Sequence, residues 1–97
     1  MAVFDTQRYR QLFRQMGYDD DNGSALLLRT QLLRILKDEL ERRNWTQKQA
    51  ADRLGVKQPR ISELYALRID KFSVELLVKY LHRLGKEVSL SVNDTRD

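Results

Sequence analysis

The chain has 97 residues, which suits one domain with a modest core, and its 41% hydrophobic and 33% charged residues are typical of a helical globular protein. It has no cysteine for disulfides or thiolate metal sites and no apolar run near the roughly twenty residues that span a bilayer, so we expect a soluble, unexported, cytoplasmic protein without a membrane partner. The net charge of +4 favours polyanionic partners, and residues 41–71 carry all of it, with eight Lys or Arg against four Asp or Glu.

The first pattern is an amphipathic helix from Thr6 to Met16, whose apolar side chains indicate a core or partner contact and no chemistry. Gly17 can end this helix, and the acidic stretch from Asp19 to Gly23 is typical of a polar turn. An EF-hand calcium loop beginning at Asp19 would have its glycine and its bidentate glutamate at the wrong positions. We therefore expect no metal, and residues 1–23 are predicted to form an accessory helix followed by an acidic turn.

The longest helical pattern runs from Ser24 to Arg43 and predicts a platform for the elements that follow. Its apolar side chains recur at steps of three and four residues, at Leu28, Leu32, Ile35, Leu36 and Leu40. Asn44 can stop this helix, and Trp45 then places a large apolar side chain just before the next helix start.

Residues 46–65 predict two short helices joined by a tight turn. Thr46 and Gln49 have the T-x-x-Q spacing of a capping box, and Gly55 can adopt the positive φ at which the first helix ends. The second helix begins near Gln58, with Pro59 tolerated in its first turn. Isolated helices shorter than about twelve residues are marginal in water, so both must dock on the platform helix. This arrangement indicates a helix-turn-helix.

After these helices, Ser73 is predicted to cap a further helix through about Leu84, which Gly85 ends. The stretch that follows alternates apolar and polar residues, as in a strand with one buried face. Its apolar positions are Val88, Leu90 and Val92.

No other stretch alternates in this way, so this strand has no partner in its own chain. A second copy related by a two-fold axis could pair with it, and a different protein could also add a strand. The predicted divisions are a helix-turn-helix domain over 24–85, a dimerisation strand over 86–93 and a polar tail over 94–97.

Between Trp45 and Val92, the segments TQKQAADRLG, KQPRISEL and LGKEVSLSV resemble the XRE-type, lambda-repressor-like helix-turn-helix family, and most closely its HigA-like antitoxin and small-regulator branch. The resemblance implies an all-α fold of about five helices, to which the orphan strand adds pairing across a homodimer. It also implies a transcriptional repressor that binds a palindromic operator in double-stranded DNA. An antitoxin that neutralises a small RelE/HigB-like toxin is the implied role, and the alternative is a stand-alone XRE-type regulator.

In this family the second helix of the motif enters the major groove. By position, the expected base contacts are Gln58, Arg60, Ser62 and Glu63, although Glu63 could instead pair with Arg60 within the helix. The expected phosphate contacts are Thr46, Gln47, Lys48, Lys57 and Arg68. Lys57 departs from the pattern, since it stands where the family often has a Ser or Thr cap. Its side chain cannot accept from backbone amides, which favours a phosphate at that helix end.

An enzyme is the competing class of function. His82 is the only histidine, and its position on a face of the last helix away from the apolar stripe indicates a surface residue. No serine lies in a nucleophile-elbow context, and the chain lacks the histidines and cysteines of a common metal site. We therefore expect no catalytic residues, no metal and no cofactor.

Overall fold

The computed structural model describes residues 4–94, and within that range the chain is all-helical. The elements are α1 (Thr6–Gln15), α2 (Asp20–Arg42), α3 (Gln47–Leu54), α4 (Gln58–Tyr65) and α5 (Val74–Arg83), with a short 3₁₀ turn at Ile69–Lys71. The predicted all-α class with five helices is therefore confirmed. None of the helices in this range is long and apolar enough to cross a membrane.

The start of α2 corrects the predicted acidic turn. Asp19 is the N-cap of α2, and its carboxylate accepts from the Asn22 N–H at 2.8 Å. Asp20 and Asp21 then occupy the first turn, where negative charge interacts favourably with the helix dipole. The platform helix thus begins four residues before Ser24, because these acidic residues serve as its cap and first turn.

Helix α1 packs against the first half of α2. Phe13 is 2% exposed and packs beside Gly23, whereas Leu12 and Met16 on the apolar side of the same stretch are 44% and 61% exposed. Arg14 Nε lies 2.9 Å from Asp20 Oδ1, and this hydrogen bond and the guanidinium charge lower the pKa of Asp20. The accessory helix is therefore fixed to α2 through the buried Phe13, the exposed Arg14–Asp20 ion pair and a 3.2 Å hydrogen bond from Arg10 Nη1 to Ser24 Oγ.

Helix α2 is the central element of the core. The fully buried aliphatic side chains come from α2, α3, α4 and α5: Leu33, Leu36, Leu40, Ala50, Leu54, Ile61, Leu64 and Leu77. Burying each leucine or isoleucine contributes about 1.5–3 kcal/mol. Leu28 and Ile35, predicted for the inner stripe, are instead 44% and 47% exposed, because they lie on a second face of α2 that looks toward α5 and the C-terminal segment.

The local signals at the helix ends are confirmed. Asn44 follows α2 with a φ of 56°, and Gly55 follows α3 with a φ of 70°, so both residues turn the chain through the left-handed region. Trp45 is half-buried and packs against the core, as predicted for a residue just before the cap of α3. Ser73 caps α5 by accepting from the Leu76 N–H at 3.1 Å.

Residues 86–94 follow α5 without regular secondary structure. The predicted strand over 86–93 is therefore not formed within the described single chain, because a strand is defined by its ladder of hydrogen bonds and this chain offers no partner. Pairing with a second copy stays a prediction. Of the predicted polar tail, Asp94 is exposed and the remaining residues lie outside the described range.

Glu39 fastens the start of this C-terminal segment to the domain. Its buried carboxylate lies 3.2 Å from Lys86 Nζ, 3.5 Å from Arg43 Nη2 and 3.7 Å from Arg42 Nη1. Arg43 also donates to the Leu84 carbonyl at 2.7 Å. Burial alone would raise the pKa of Glu39, but the hydrogen bond and charge of Lys86, together with the two arginines, outweigh burial and lower it. The ends of α2 and α5 and the segment after them are thereby joined.

We predict that Glu39→Gln lowers the free energy of unfolding at pH 7 by about 1–3 kcal/mol, since three cations lose their common carboxylate. A carboxylate whose pKa is lowered by folding stabilises the protein above its unfolded pKa, and that stability is lost as pH falls through the folded value. The difference between wild type and variant in urea denaturation should therefore shrink below a pH of about 4.3. The exposed Asp38→Asn is the control, and equal losses in both variants would contradict this role.

Candidate nucleic-acid interface

Helix α3 begins with a complete capping box. The Thr46 N–H donates to Gln49 Oε1 at 2.9 Å, and the Gln49 N–H donates to Thr46 Oγ1 at 3.1 Å. The Thr46 hydroxyl oxygen is therefore engaged as an acceptor, while its own proton is free in this geometry to bond a phosphate. Lys48, in the first turn of α3, is exposed beside it.

The far end of α3 is held by α5. The guanidinium of Arg83 donates to the carbonyl of Leu54, the last residue of α3, and lies 5.5 Å from the ring centroid of Tyr80. It also lies against the Gly55 turn, which leads directly into α4. This role of Arg83 is not predicted from the sequence. A cation in the last turn of α5 is visible there, but no local pattern indicates that its side chain reaches another helix.

The outer faces of α3 and α4 meet at one hydrogen bond. Ser62 Oγ donates to Gln47 Oε1 at 3.1 Å, which joins an expected base contact to an expected phosphate contact. On α4, Ile61 and Leu64 point into the core with no exposed surface, whereas Gln58 and Ser62 are exposed. Gln58 and Ser62 thus lie on the open face that a major groove would meet.

Arg60 is engaged within the protein. Its guanidinium carbon lies 4.3 Å from the centroid of the buried Phe72 ring, and its Nη1 lies 3.7 Å from Glu63 Oε1. A base contact by Arg60 would require the side chain to leave this aromatic ring. The pair with Glu63 corresponds to the intrahelical alternative, so the geometry favours Gln58 and Ser62 over Arg60 and Glu63 for base contacts.

The start of α4 has no side-chain cap, as Lys57 predicts. Pro59 lacks an N–H, and the Arg60 N–H donates to the Lys57 carbonyl at 2.9 Å. The Gln58 N–H is therefore the first-turn donor best placed for an anion, and the exposed ammonium of Lys57 stands beside it.

The remaining expected phosphate contact, Arg68, lies after α4. Its Nε is 3.6 Å from Asp70 Oδ1, and both side chains are more than half exposed. Such surface pairs contribute about 0–1 kcal/mol, so a phosphate can compete with Asp70 for this guanidinium. Three exposed cations thus lie near α4. Lys48 is in the preceding helix, Lys57 stands just before α4, and Arg68 follows it.

A family model described as a helix-turn-helix domain matches residues 13–93. The match runs from Phe13, in the last turn of α1, to Asn93 in the segment after α5. A search of curated proteins found no match.

We predict that Arg60→Ala lowers the free energy of unfolding by about 1 kcal/mol without DNA, since it removes the guanidinium from the Phe72 ring. Lys57→Ala, at the exposed residue just before the same helix, is the control and should change stability by less than about 0.5 kcal/mol. Urea denaturation of both variants measures the difference. An Arg60 variant as stable as the Lys57 variant would show that the arginine contributes nothing to packing.

Proposed function

The chain belongs to the helix-turn-helix domain family, and on that premise we propose that it is a sequence-specific DNA-binding transcriptional repressor. The observation that carries this proposal is the exposed face of α4 at Gln58 and Ser62, flanked by three exposed cations. The proposal includes no catalytic step and no cofactor. Its partner is double-stranded DNA.

The site residues take two kinds of role in this proposal. Gln58 reads a base edge in the major groove, where a glutamine can bond adenine through two hydrogen bonds worth about 1–3 kcal/mol of discrimination. Ser62 stands beside it and is oriented by Gln47. Thr46, Lys48, Lys57 and Arg68 contact phosphates, which fixes the register of α4 on the duplex without specifying sequence.

We further propose a homodimer that binds a palindromic operator. One copy of α4 contacts only a few base pairs, and a two-fold pair roughly squares the discrimination between operator and other DNA. The alternation of Val88, Leu90 and Val92 supports pairing of residues 86–93 between two copies. The two recognition helices would then enter successive major grooves on one side of the duplex.

Within the family, the motif residues support the XRE-type, HigA-like branch, and we propose the role of an antitoxin that represses its own operon. Helix α1 packs through Phe13 and leaves Leu12 and Met16 exposed by 44% and 61%, with Tyr18 beside them at 41%. This apolar surface suits a protein partner such as a small RelE/HigB-like toxin. The second candidate is a stand-alone XRE-type regulator, for which this surface would have no partner.

We predict different effects from one base-reading and one phosphate-binding substitution. Gln58→Ala should relax base preference at one operator position by about 1–3 kcal/mol and leave the salt dependence of binding unchanged. Lys48→Ala should weaken binding to all sequences and reduce the slope of log affinity against log salt by about one. Titrations at several salt concentrations, with matched and mismatched duplexes, measure both effects. The reverse pattern would overturn these assignments.

The antitoxin role predicts that the protein rescues growth when a RelE/HigB-like toxin encoded beside its gene is expressed. The double variant Leu12→Glu, Met16→Glu should lose this rescue, since it places two carboxylates on the apolar surface of α1, while it keeps operator binding. Plate growth and a gel-shift assay provide the two readouts. Failure of the wild type to rescue would leave the stand-alone regulator as the better account.

A further inference from the structure

A groove of about 650 Å³ runs between α2, α5 and the segment after α5, on a face that the proposed DNA contacts do not use. Its walls are mainly aliphatic, with Leu28 and Ile35 on α2, Val74 and Val78 on α5, and Val88 on the C-terminal segment. Leu28 and Ile35 are nearly half exposed in the middle of the longest helix. Exposed aliphatic side chains gathered from three elements mark an interaction surface.

The C-terminal segment lines this groove from Lys86 to Leu90 but covers it less and less along its length. Lys86 is tied to Glu39, and Val88, two residues later, is 38% exposed. Leu90 still lines the groove but is 80% exposed, and Val92, beyond the lining, is 87% exposed. The distal half of this face therefore lacks a surface to pack on in a single copy.

We propose that a second copy of the chain occupies this groove. The C-terminal segments of the two copies form a two-stranded antiparallel ribbon, and the groove is its floor, meaning the helical surface on which the ribbon packs. Val92 of each copy packs toward the groove of the other. This inference rests on the proposed homodimer and adds the helical surface that the dimer requires. An isolated two-stranded ribbon is marginal in water and needs packing against helices. The exposed side chains of Leu28 and Ile35 can supply that packing.

The alternation of the segment fixes the register. Antiparallel pairing around a two-fold axis at Leu90 places Leu90 opposite its own copy and Val88 opposite Val92 of the other chain. All three apolar positions then share one face, and Ser89 and Ser91 share the other. A two-fold axis at Ser89 would leave Val92 without an apolar partner, so the axis at Leu90 makes the fullest use of the apolar face.

The charges around the groove suit an interface that meets itself. Glu39 and Glu87 line it together with Arg42 and Lys86, so the two signs balance at its polar end. Because a two-fold interface brings the same patch together from both copies, a surface of one sign would repel itself.

A matched pair of substitutions tests whether the groove supports the dimer. Leu28 and Leu12 are each 44% exposed on a helix, but only Leu28 lines the groove. In sedimentation of the full chain at micromolar concentration, Leu28→Glu should raise the dimer dissociation constant about thirtyfold or more, as for a central interface residue, while Leu12→Glu stays at the wild-type value. Circular dichroism establishes that both variants are folded.

Engineered cysteines test the register independently, since the natural chain has none. Under oxidation, Leu90→Cys should form a covalent dimer, because residues paired across the axis have Cα atoms about 4.5–5.5 Å apart. Ser89→Cys should not, because its own copy is displaced by two residues along the ribbon and exceeds disulfide reach.

Three results would overturn the inference. If the Leu28→Glu variant is as dimeric as the wild type, the groove does not support the ribbon, and the proposed DNA-binding dimer itself is unaffected. Efficient cross-linking of Ser89→Cys instead of Leu90→Cys removes the register. A wild type that is monomeric and selects no palindromic DNA removes the proposed homodimer itself, and the inference fails with it.

Discussion

The structure depends on the buried apolar face of α2. Helices α3 and α4 have eight residues each, too few to persist in water. Helix α4 packs against α2, and α3 packs against α4 and α5, with Leu54, Ile61 and Leu64 in the common core. Arg83 adds a second constraint, since its bond to the Leu54 carbonyl fixes the turn from which α4 emerges. The start of α4, where Gln58 lies, is therefore constrained by a side chain of α5. Substitutions far from DNA can thus change affinity by tilting α4.

The same helix gives the molecule three distinct surfaces. One face of α2 carries the motif, its first half carries α1, and Leu28 and Ile35 border the groove beside α5. The groove shares no residue with the proposed DNA contacts, whereas Arg68, a proposed phosphate contact, lines the same pocket as Met16 and Tyr18. The ion pairs of Glu39 lie where the groove and the C-terminal segment meet, and they set where the predicted ribbon begins. In the proposed dimer, α2 would connect the dimer interface to the DNA-binding motif.

Features that depend on neighbouring residues could be predicted from the sequence. The Thr46 capping box, the turn at Gly55 and the uncapped Lys57 follow from local geometry, and each is found as expected. Asp19 was missed as a cap because the same acidic residues also suit a turn. The contact of Arg60 with Phe72 and the choice of Leu33 over Ile35 for the core depend on the three-dimensional packing of helices. Periodicity identifies an apolar face but does not decide which neighbour covers each part of it.

In the proposed repressor, two copies of α4, held by two-fold pairing of the C-terminal segments, read one DNA sequence. Selection of bound duplexes from a random pool by the full chain tests specificity and symmetry together. We expect enrichment of a palindrome whose half-sites lie about ten base pairs apart, centre to centre, which corresponds to one turn of the duplex. Enrichment of a single asymmetric site, or no enrichment above the input pool, would contradict it.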